Sequence, residues 1–298
     1  MLEIRKASPK IGAEIKGVDV RNMAEDIFDE IYQAFLDHIV IVIRDQALTE
    51  QQFIEFSERF GDIKPHGTKS AQHPKYPELL LMDNRIVDTR KAEELETASP
   101  LLVKIGAVWH TDTSYEYITA KATGMYSVNV PSTGGDTLFS NSYAAYDTLP
   151  PDLLKKIEDK SATYIYGGRL TRQQERIEAE DRNRAPAIHP LILTHPETGR
   201  KSLYFNDGQI LTIVGMSQAD SDATIAALAQ HTTFPDGDYR HQWRAGDVVL
   251  WDNRCSIHCA TGDYPVHERR TNWRSTIMEP GWERAVMRGL ARAAVGAV

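Results

Sequence analysis

Cysteine is nearly absent from this sequence: among 298 residues only Cys255 and Cys259 carry thiols. Two thiols in a chain of this length make no disulfide framework, so a reducing cytoplasm is the expected setting. They bracket His258 at a C-x3-C spacing, but zinc would need further ligands there, and both read as small packing residues beside a strand. No stretch approaches the roughly 20 apolar residues of a membrane span, and no apolar run near the start resembles a signal peptide. Positive charge is in deficit as well. The 34 Lys and Arg against 42 Asp and Glu leave a formal charge of −8, which argues against a nucleic-acid surface and leaves any anionic ligand to a local cluster of arginines. Internal repeats and low-complexity tracts are also missing.

What remains is ordinary for a globular protein with a sizeable core, at 41% hydrophobic and 26% charged residues. No linker argues for a split, so one domain over residues 1–298 is expected. Strand signals outnumber helix signals, giving a mainly β fold with flanking helices. Ile27, Ile31 and Phe35 form one stripe of a helix from Glu25 to His38, followed by a buried strand over Ile39 to Ile43. Thr49 reads as the N-cap of a helix from Glu50 to Phe60 whose Phe53, Phe56 and Phe60 face the core. Leu79 to Met82, Ala122 to Val130, Asp136 to Ser140, Ala162 to Tyr166, Trp243 to Trp251 and Arg270 to Met278 read as strands. His195 to Arg200 is a hairpin turn between Leu191-Ile192-Leu193 and Leu203-Tyr204-Phe205. Ser217 to His231 reads as a surface helix with acids in its first turn, and Ala291 to Val298 as a helical tail. Two polar, aperiodic segments, 84–106 and 167–186, are placed as lids.

The chemistry concentrates in His110 and Asp112, set as Trp109-His110-Thr111-Asp112-Thr113. Two residues apart on a strand, an imidazole and a carboxylate point to one side. A remote third ligand, His258, would complete the facial set that leaves positions open on iron(II) for an oxidant and a co-substrate. H-x-D alone is a weak signal. Arg270 and Arg274 strengthen it, because four residues apart on a strand they share a face, and a guanidinium grips a carboxylate with two prongs. They would hold a dicarboxylic keto acid by its far end, with Arg269 on the opposite face. A zinc-dependent hydrolase or a non-enzymatic binding protein remains an alternative, but leaves this arginine pair without a task.

Four blocks in order, the His110-Thr111-Asp112 motif, Pro131-Ser132-Thr133-Gly134-Gly135-Asp136-Thr137, the run Trp243 to His258 and Arg269-Arg270-Thr271-Asn272-Trp273-Arg274, resemble the taurine dioxygenase and 2,4-dichlorophenoxyacetate dioxygenase family. The likeness runs from Phe60-Gly61-Asp62 to about Pro280. It implies a double-stranded β-helix, or jelly roll, that uses Fe(II), 2-oxoglutarate and O2 to hydroxylate a small anionic organic substrate with release of succinate and CO2. By position it assigns His110, Asp112 and His258 to iron, Thr137 and Arg270 to the distal carboxylate of 2-oxoglutarate, and Arg274 and His66 to the substrate anion. It also implies a homodimer or homotetramer, with no nucleic-acid or membrane partner. The carboxylate of Asp112 argues against halogenation. Gly106 and Gly67-Thr68-Lys69 depart from the sulfonate-oxidising pattern, which widens the expected substrates to another sulfonate, a sulfate ester, or an aryloxyalkanoate or other carboxylate. Tyr115, Tyr166 and Tyr204 suit either an aromatic pocket wall or core packing, while Trp251 and Asn253 read as structural.

Overall fold

All four residues of the strand Val40–Ile43 are buried, as happens when a sheet is covered on both faces. The computed structural model, which describes residues 2–86, 88–91, 93–96, 103, 106–168, 185–233 and 237–287, shows what covers them. Ile41 and Ile43 pack with Phe35, Phe53, Val248 and Leu250 under two helices, Glu25–His38 and Glu50–Glu58. Val40 and Val42 face the other way and pack with Phe139, Tyr143, Val249 and Trp251. Alternation along each strand thus feeds two separate cores.

The large sheet runs in the order Glu3–Lys6, Ala13–Lys16, Val40–Ile43, Val248–Asp252, Ala122–Asn129, Thr271–Met278, with Asp62–Ile63 and Leu79–Asp83 both pairing along the far edge of Thr271–Met278. A smaller sheet orders Tyr239–His241, Thr137–Asn141 and Ser256–Ala260, all antiparallel. Phe139 of this sheet meets Trp251 of the large one edge to face at 5.5 Å, so the second core lies between the two sheets. A third sheet, Ile210–Ile213, Ser161–Tyr164 and Ala187–Pro190, packs beneath the helix Gln218–Thr232. Among the described residues no helix is long and apolar enough to cross a membrane.

Several elements match the sequence reading closely. The first helix spans Glu25–His38, Thr49 forms a reciprocal capping box with Gln52, and Ile192–Thr194 pairs with Lys201–Leu203 as a hairpin. Others differ. Trp243 to Asp247 is not strand: Gly246 adopts a positive φ of 83° and Asp247 accepts from the Arg244 N–H, making a turn before Val248–Asp252. The helix Gln218–Thr232 is a surface helix as expected, and its inner face buries Ile225 and Leu228 against the third sheet. The helices Ser142–Asp147 and Pro151–Ile157 were not anticipated. Of the two segments read as lids, 84–106 is described only in part, and 169–184 lie outside the described residues, as do 291–298 of the expected tail.

One buried polar cluster, His195, Asp252 and Cys255, has the composition of a metal site but is wired as a brace. The Nδ1 of His195 accepts from the N–H groups of Glu197 and Thr198, so the ring carries its proton on Nε2 and donates it to Asp252 at 3.0 Å. Arg254 donates to both Asp252 oxygens, at 2.9 and 2.6 Å. The brace fixes the turn that leads into Ser256–Ala260. Burial raises the pKa of Asp252, but the bonds from Arg254 and His195 outweigh it and bring the value from 3.8 down to about 2. Its stabilising contribution is therefore complete above pH 3.8 and is lost as pH falls toward 2. Asp252→Asn is expected to lower unfolding free energy by about 3 kcal/mol at pH 7, since it removes the buried anion from Arg254 and His195 and leaves only the more exposed Glu197 and Glu279 to meet the Arg254 charge. In denaturant titrations that deficit should shrink on acidification through this window, and a variant as stable as the parent at pH 7 would contradict the brace.

Candidate functional site

His110 and His258 sit directly opposite each other as an isolated pair of bridging residues. The His110 N–H donates to the His258 carbonyl at 2.9 Å, and the His258 N–H returns the bond at 2.7 Å. The backbone itself therefore holds the two imidazoles side by side, with ring centroids 4.2 Å apart. The carbonyl of Val108 lies 2.7 Å from Nδ1 of His110. A carbonyl only accepts, so Nδ1 carries a proton and the neutral ring presents a lone pair at Nε2.

Asp112 reaches the same point by a different route from the one strand alternation suggests. After His110 the chain leaves the bridge and turns through Asp112 to Tyr115, with Thr113 at a positive φ of 57°. Side chains then do the positioning. Thr111 Oγ1 donates to the Asn253 carbonyl at 2.8 Å, Thr123 Oγ1 donates to Asp112 Oδ2 at 2.6 Å, and Asn253 Nδ2 donates to Thr123 Oγ1 at 2.9 Å. Asn253 is thus more than a packing residue, and Thr123 was not singled out by the sequence reading. For Thr123 the only sequence signal is a polar side chain inside an apolar strand, while Asn253 sits in a polar turn between Asp252 and Arg254.

The three groups converge. His110 Nε2 lies 3.7 Å from Asp112 Oδ1, His258 Nε2 lies 3.8 Å from Asp112 Oδ2, and all three donor atoms fall within 4.8 Å of one another. Two metal bonds of about 2.1 Å reach across up to roughly 4.2 Å, so one cation fits the measured pairs. Two nitrogens and one carboxylate are also the donor chemistry of a facial iron(II) site. Arg274 donates to Asp112 Oδ1 at 2.8 Å. Burial alone would raise the Asp112 carboxyl, but Arg274, the two histidines and Thr123 hold it well below the ordinary carboxylate range. Burial, aided by neighbouring His110, pushes His258 well below the usual imidazole value.

The site opens into a cavity of about 390 Å³ lined by His66, Thr137, Arg270 and Arg274 among others. The neighbours Arg269 and Arg270 diverge. Arg269 pairs with Asp83 at 2.8 Å and Glu94 at 3.0 Å. Arg270 faces the cavity, and among the described residues no carboxylate lies within ion-pair distance of it. Burial depresses its pKa, the mark of a cation without a counter-ion in place. A Cβ on Gly135 would stand 3.3 Å from its Nε, so the glycine keeps that guanidinium clear. Thr137 accepts from Trp243 Nε1 at 3.0 Å, which leaves its own O–H to donate. Tyr115 and Tyr166 line the cavity and meet edge to face at 4.9 Å. Tyr204 instead packs in the core against Tyr164 and His189.

His66 Nδ1 accepts from the Thr68 N–H at 3.1 Å, so its Nε2 carries the proton. Burial, reinforced by Arg274, lowers its pKa to about 4. His66 is therefore a neutral N–H donor across the working range. An NMR titration, with His66→Gln to assign the signal, should place its midpoint near 4; a midpoint at the ordinary value of 6.5 would contradict its placement.

Comparison with known proteins shows the family. A family model described as "Taurine catabolism dioxygenase TauD, TfdA family" matches residues 3–276. The alpha-ketoglutarate-dependent 2,4-dichlorophenoxyacetate dioxygenase of Cupriavidus pinatubonensis is 31% identical over 91% of this chain and 96% of its own length. An alkylsulfatase of Acinetobacter baylyi is 32% identical over 90% of this chain and 82% of its own. Among solved structures, AAD-2 in complex with Mn(II) and N-oxalylglycine superposes with a TM-score of 0.78 at 26% identity, covering 94% of this chain and 97% of that one. A taurine dioxygenase from Burkholderia xenovorans gives 0.74 at 27% identity, covering 93% and 91%. The chain belongs to the TauD and TfdA family and is a 2-oxoglutarate-dependent non-haem iron dioxygenase.

Proposed function

We propose that this enzyme hydroxylates a small organic anion, with an aryloxyalkanoate or a sulfate ester as the favoured class, and releases succinate and CO2. The observation that carries the reading is the shared cavity: a His110, Asp112 and His258 donor set at one point, and the Arg270 cation without a carboxylate partner at another. In this reading His110, Asp112 and His258 hold Fe(II). Arg270 and the Thr137 hydroxyl hold the distal carboxylate of 2-oxoglutarate, which a two-pronged guanidinium suits. The bound iron and 2-oxoglutarate together activate O2 and supply the oxidant.

The protein's own part is charge placement and exclusion of water. Arg274 neutralises Asp112 on one side and borders the cavity with His66, so a substrate anion meets one cation and one neutral N–H donor. A neutral His66 adds direction without a second charge, and its low pKa keeps that role constant between pH 6 and 8. Relatives named for 2,4-dichlorophenoxyacetate, for (S)-phenoxypropionate and for alkyl sulfate support the substrate class. When the hydroxylated carbon carries an ether or ester oxygen, the product falls apart to a carbonyl compound. The two facing sheets and the likeness to dioxygenase structures support a double-stranded β-helix formed by one domain.

Two measurements test the residue roles. Anaerobic addition of Fe(II) and 2-oxoglutarate should produce a visible charge-transfer band that Asp112→Ala abolishes; a variant with the parent spectrum would refute the ligand set. Arg270→Ala should raise the 2-oxoglutarate requirement on the order of 100-fold, as loss of a buried charge partner does. Arg269→Ala should change it by less than about threefold, because that guanidinium is engaged by Asp83 and Glu94 and does not line the cavity. The opposite ranking would move the co-substrate site by one residue.

A further inference from the structure

Gln209 lines the same cavity, and its amide has a fixed direction that can be read from a carbonyl outward. The Thr111 carbonyl accepts a hydrogen bond from Asn206 Nδ2 at 3.2 Å. Because a carbonyl only accepts, the buried Asn206 amide can point only one way. The same NH2 group donates to Ser114 Oγ at 2.8 Å. Ser114 therefore spends its own hydrogen on the next acceptor, Gln209 Oε1, which Asn206 Nδ2 also approaches at 3.2 Å. With Oε1 taken by the Ser114 hydroxyl, the Gln209 NH2 group is the end left over, and it has no partner among the described residues. Asn206 Oδ1 is buried without a partner, so this orientation is maintained at the expense of one unsatisfied acceptor.

The amide is held against the reacting centre. Gly208 N–H donates to the Trp109 carbonyl at 3.2 Å, and a Cβ on Gly208 would approach that carbonyl to 3.0 Å. A glycine next to Gln209 lets this turn lie close to the segment carrying His110 and Asp112 without crowding it. Tyr115 follows Ser114, and Tyr166 follows Ile165, whose N–H donates to the Gln209 carbonyl at 3.0 Å. Both rings are thus tethered to the same position.

We propose that Gln209 is a specificity-determining residue whose Nε2 donates to a bridging oxygen of the substrate, the ether oxygen of an aryloxyalkanoate or the ester oxygen of an alkyl sulfate. This rests on the functional reading above. A neutral amide supplies direction and no charge, which suits an uncharged oxygen, while the anionic head has Arg274 and His66. A donor aimed at that oxygen discriminates against analogues with a methylene in its place, because the amide then loses water and gains no acceptor.

Matched pairs test it: 2,4-dichlorophenoxyacetate against 3-(2,4-dichlorophenyl)propionate, and hexyl sulfate against heptane-1-sulfonate, each differing by oxygen for methylene. Affinities are read by calorimetry with the protein loaded with Mn(II) and N-oxalylglycine, which cannot turn over. The parent should favour the oxygen-bearing member of at least one pair about five- to tenfold, the scale of one neutral hydrogen bond. Gln209→Leu and the unbranched Gln209→Met should bring that ratio to about one, and Gln209→Glu, which offers an acceptor, should invert it. His66→Gln should weaken both members together and preserve the ratio. Binding of N-oxalylglycine reports that each variant is folded. If the parent binds no member of either pair, the substrate class fails and this inference with it. If the parent binds them without preference, or the leucine and methionine variants keep the preference, the Gln209 assignment fails and the substrate class stands.

Discussion

A carboxylate taken out of water has to be met by opposite charge or by hydrogen bonds, and Asp112, only 4% exposed, is met by both. Arg274 arrives from the long strand Thr271–Met278, Thr123 from Ala122–Asn129, and His258 from the smaller sheet. Those two long strands pair with each other, and Asn253, just beyond Val248–Asp252, holds Thr123 in turn. One buried charge therefore draws on both sheets, and the cavity exists where their ends leave room around it. Removing any of these partners leaves part of the charge uncompensated, so the site and the sheet packing are not independent.

The brace at His195, Asp252 and Arg254 shows the same constraint put to another use. There, too, a buried aspartate is satisfied by a histidine and an arginine, and by composition alone the two clusters look alike. The difference lies in the imidazole. His195 uses Nδ1 as an acceptor for two backbone N–H groups and so has no lone pair for a metal. His110 gives its Nδ1 proton to a backbone carbonyl and keeps one. For these two rings, what the backbone offers Nδ1, donors at His195 and an acceptor at His110, separates a structural strut from a ligand.

Much of this was legible before any coordinates. The stripe at Ile27, Ile31 and Phe35 and the Thr49 cap are local signals, set by side-chain spacing and by orphan N–H groups, and both elements appear where they were expected. The triad was legible in composition but not in its local geometry. His110 is indeed extended and paired, yet Asp112 lies in a turn, because Thr113 adopts a left-handed conformation that its residue type does not announce. Arg269 and Arg270 diverge, but not by strand alternation: both precede the strand, which begins at Thr271, and reciprocal bonds between Arg270 and Asn84 hold the backbone there. What stayed hidden were the groups acting through others: Thr123, Ser114, Asn206 and Gln209. Their roles depend on which neighbour supplies the hydrogen, and that is decided by contacts as many as 130 residues apart.

The mutual backbone bonds of His110 and His258 carry a consequence for how such a centre changes over time. Two corners of the triad are locked to the sheet scaffold as a pair, and neither moves unless strand register slips. The third corner hangs from a turn by side-chain bonds alone. The imidazole pair is thus anchored by contacts that do not involve residue 112, whereas exchanging Asp112 would strip Arg274 and Thr123 of the group they hold.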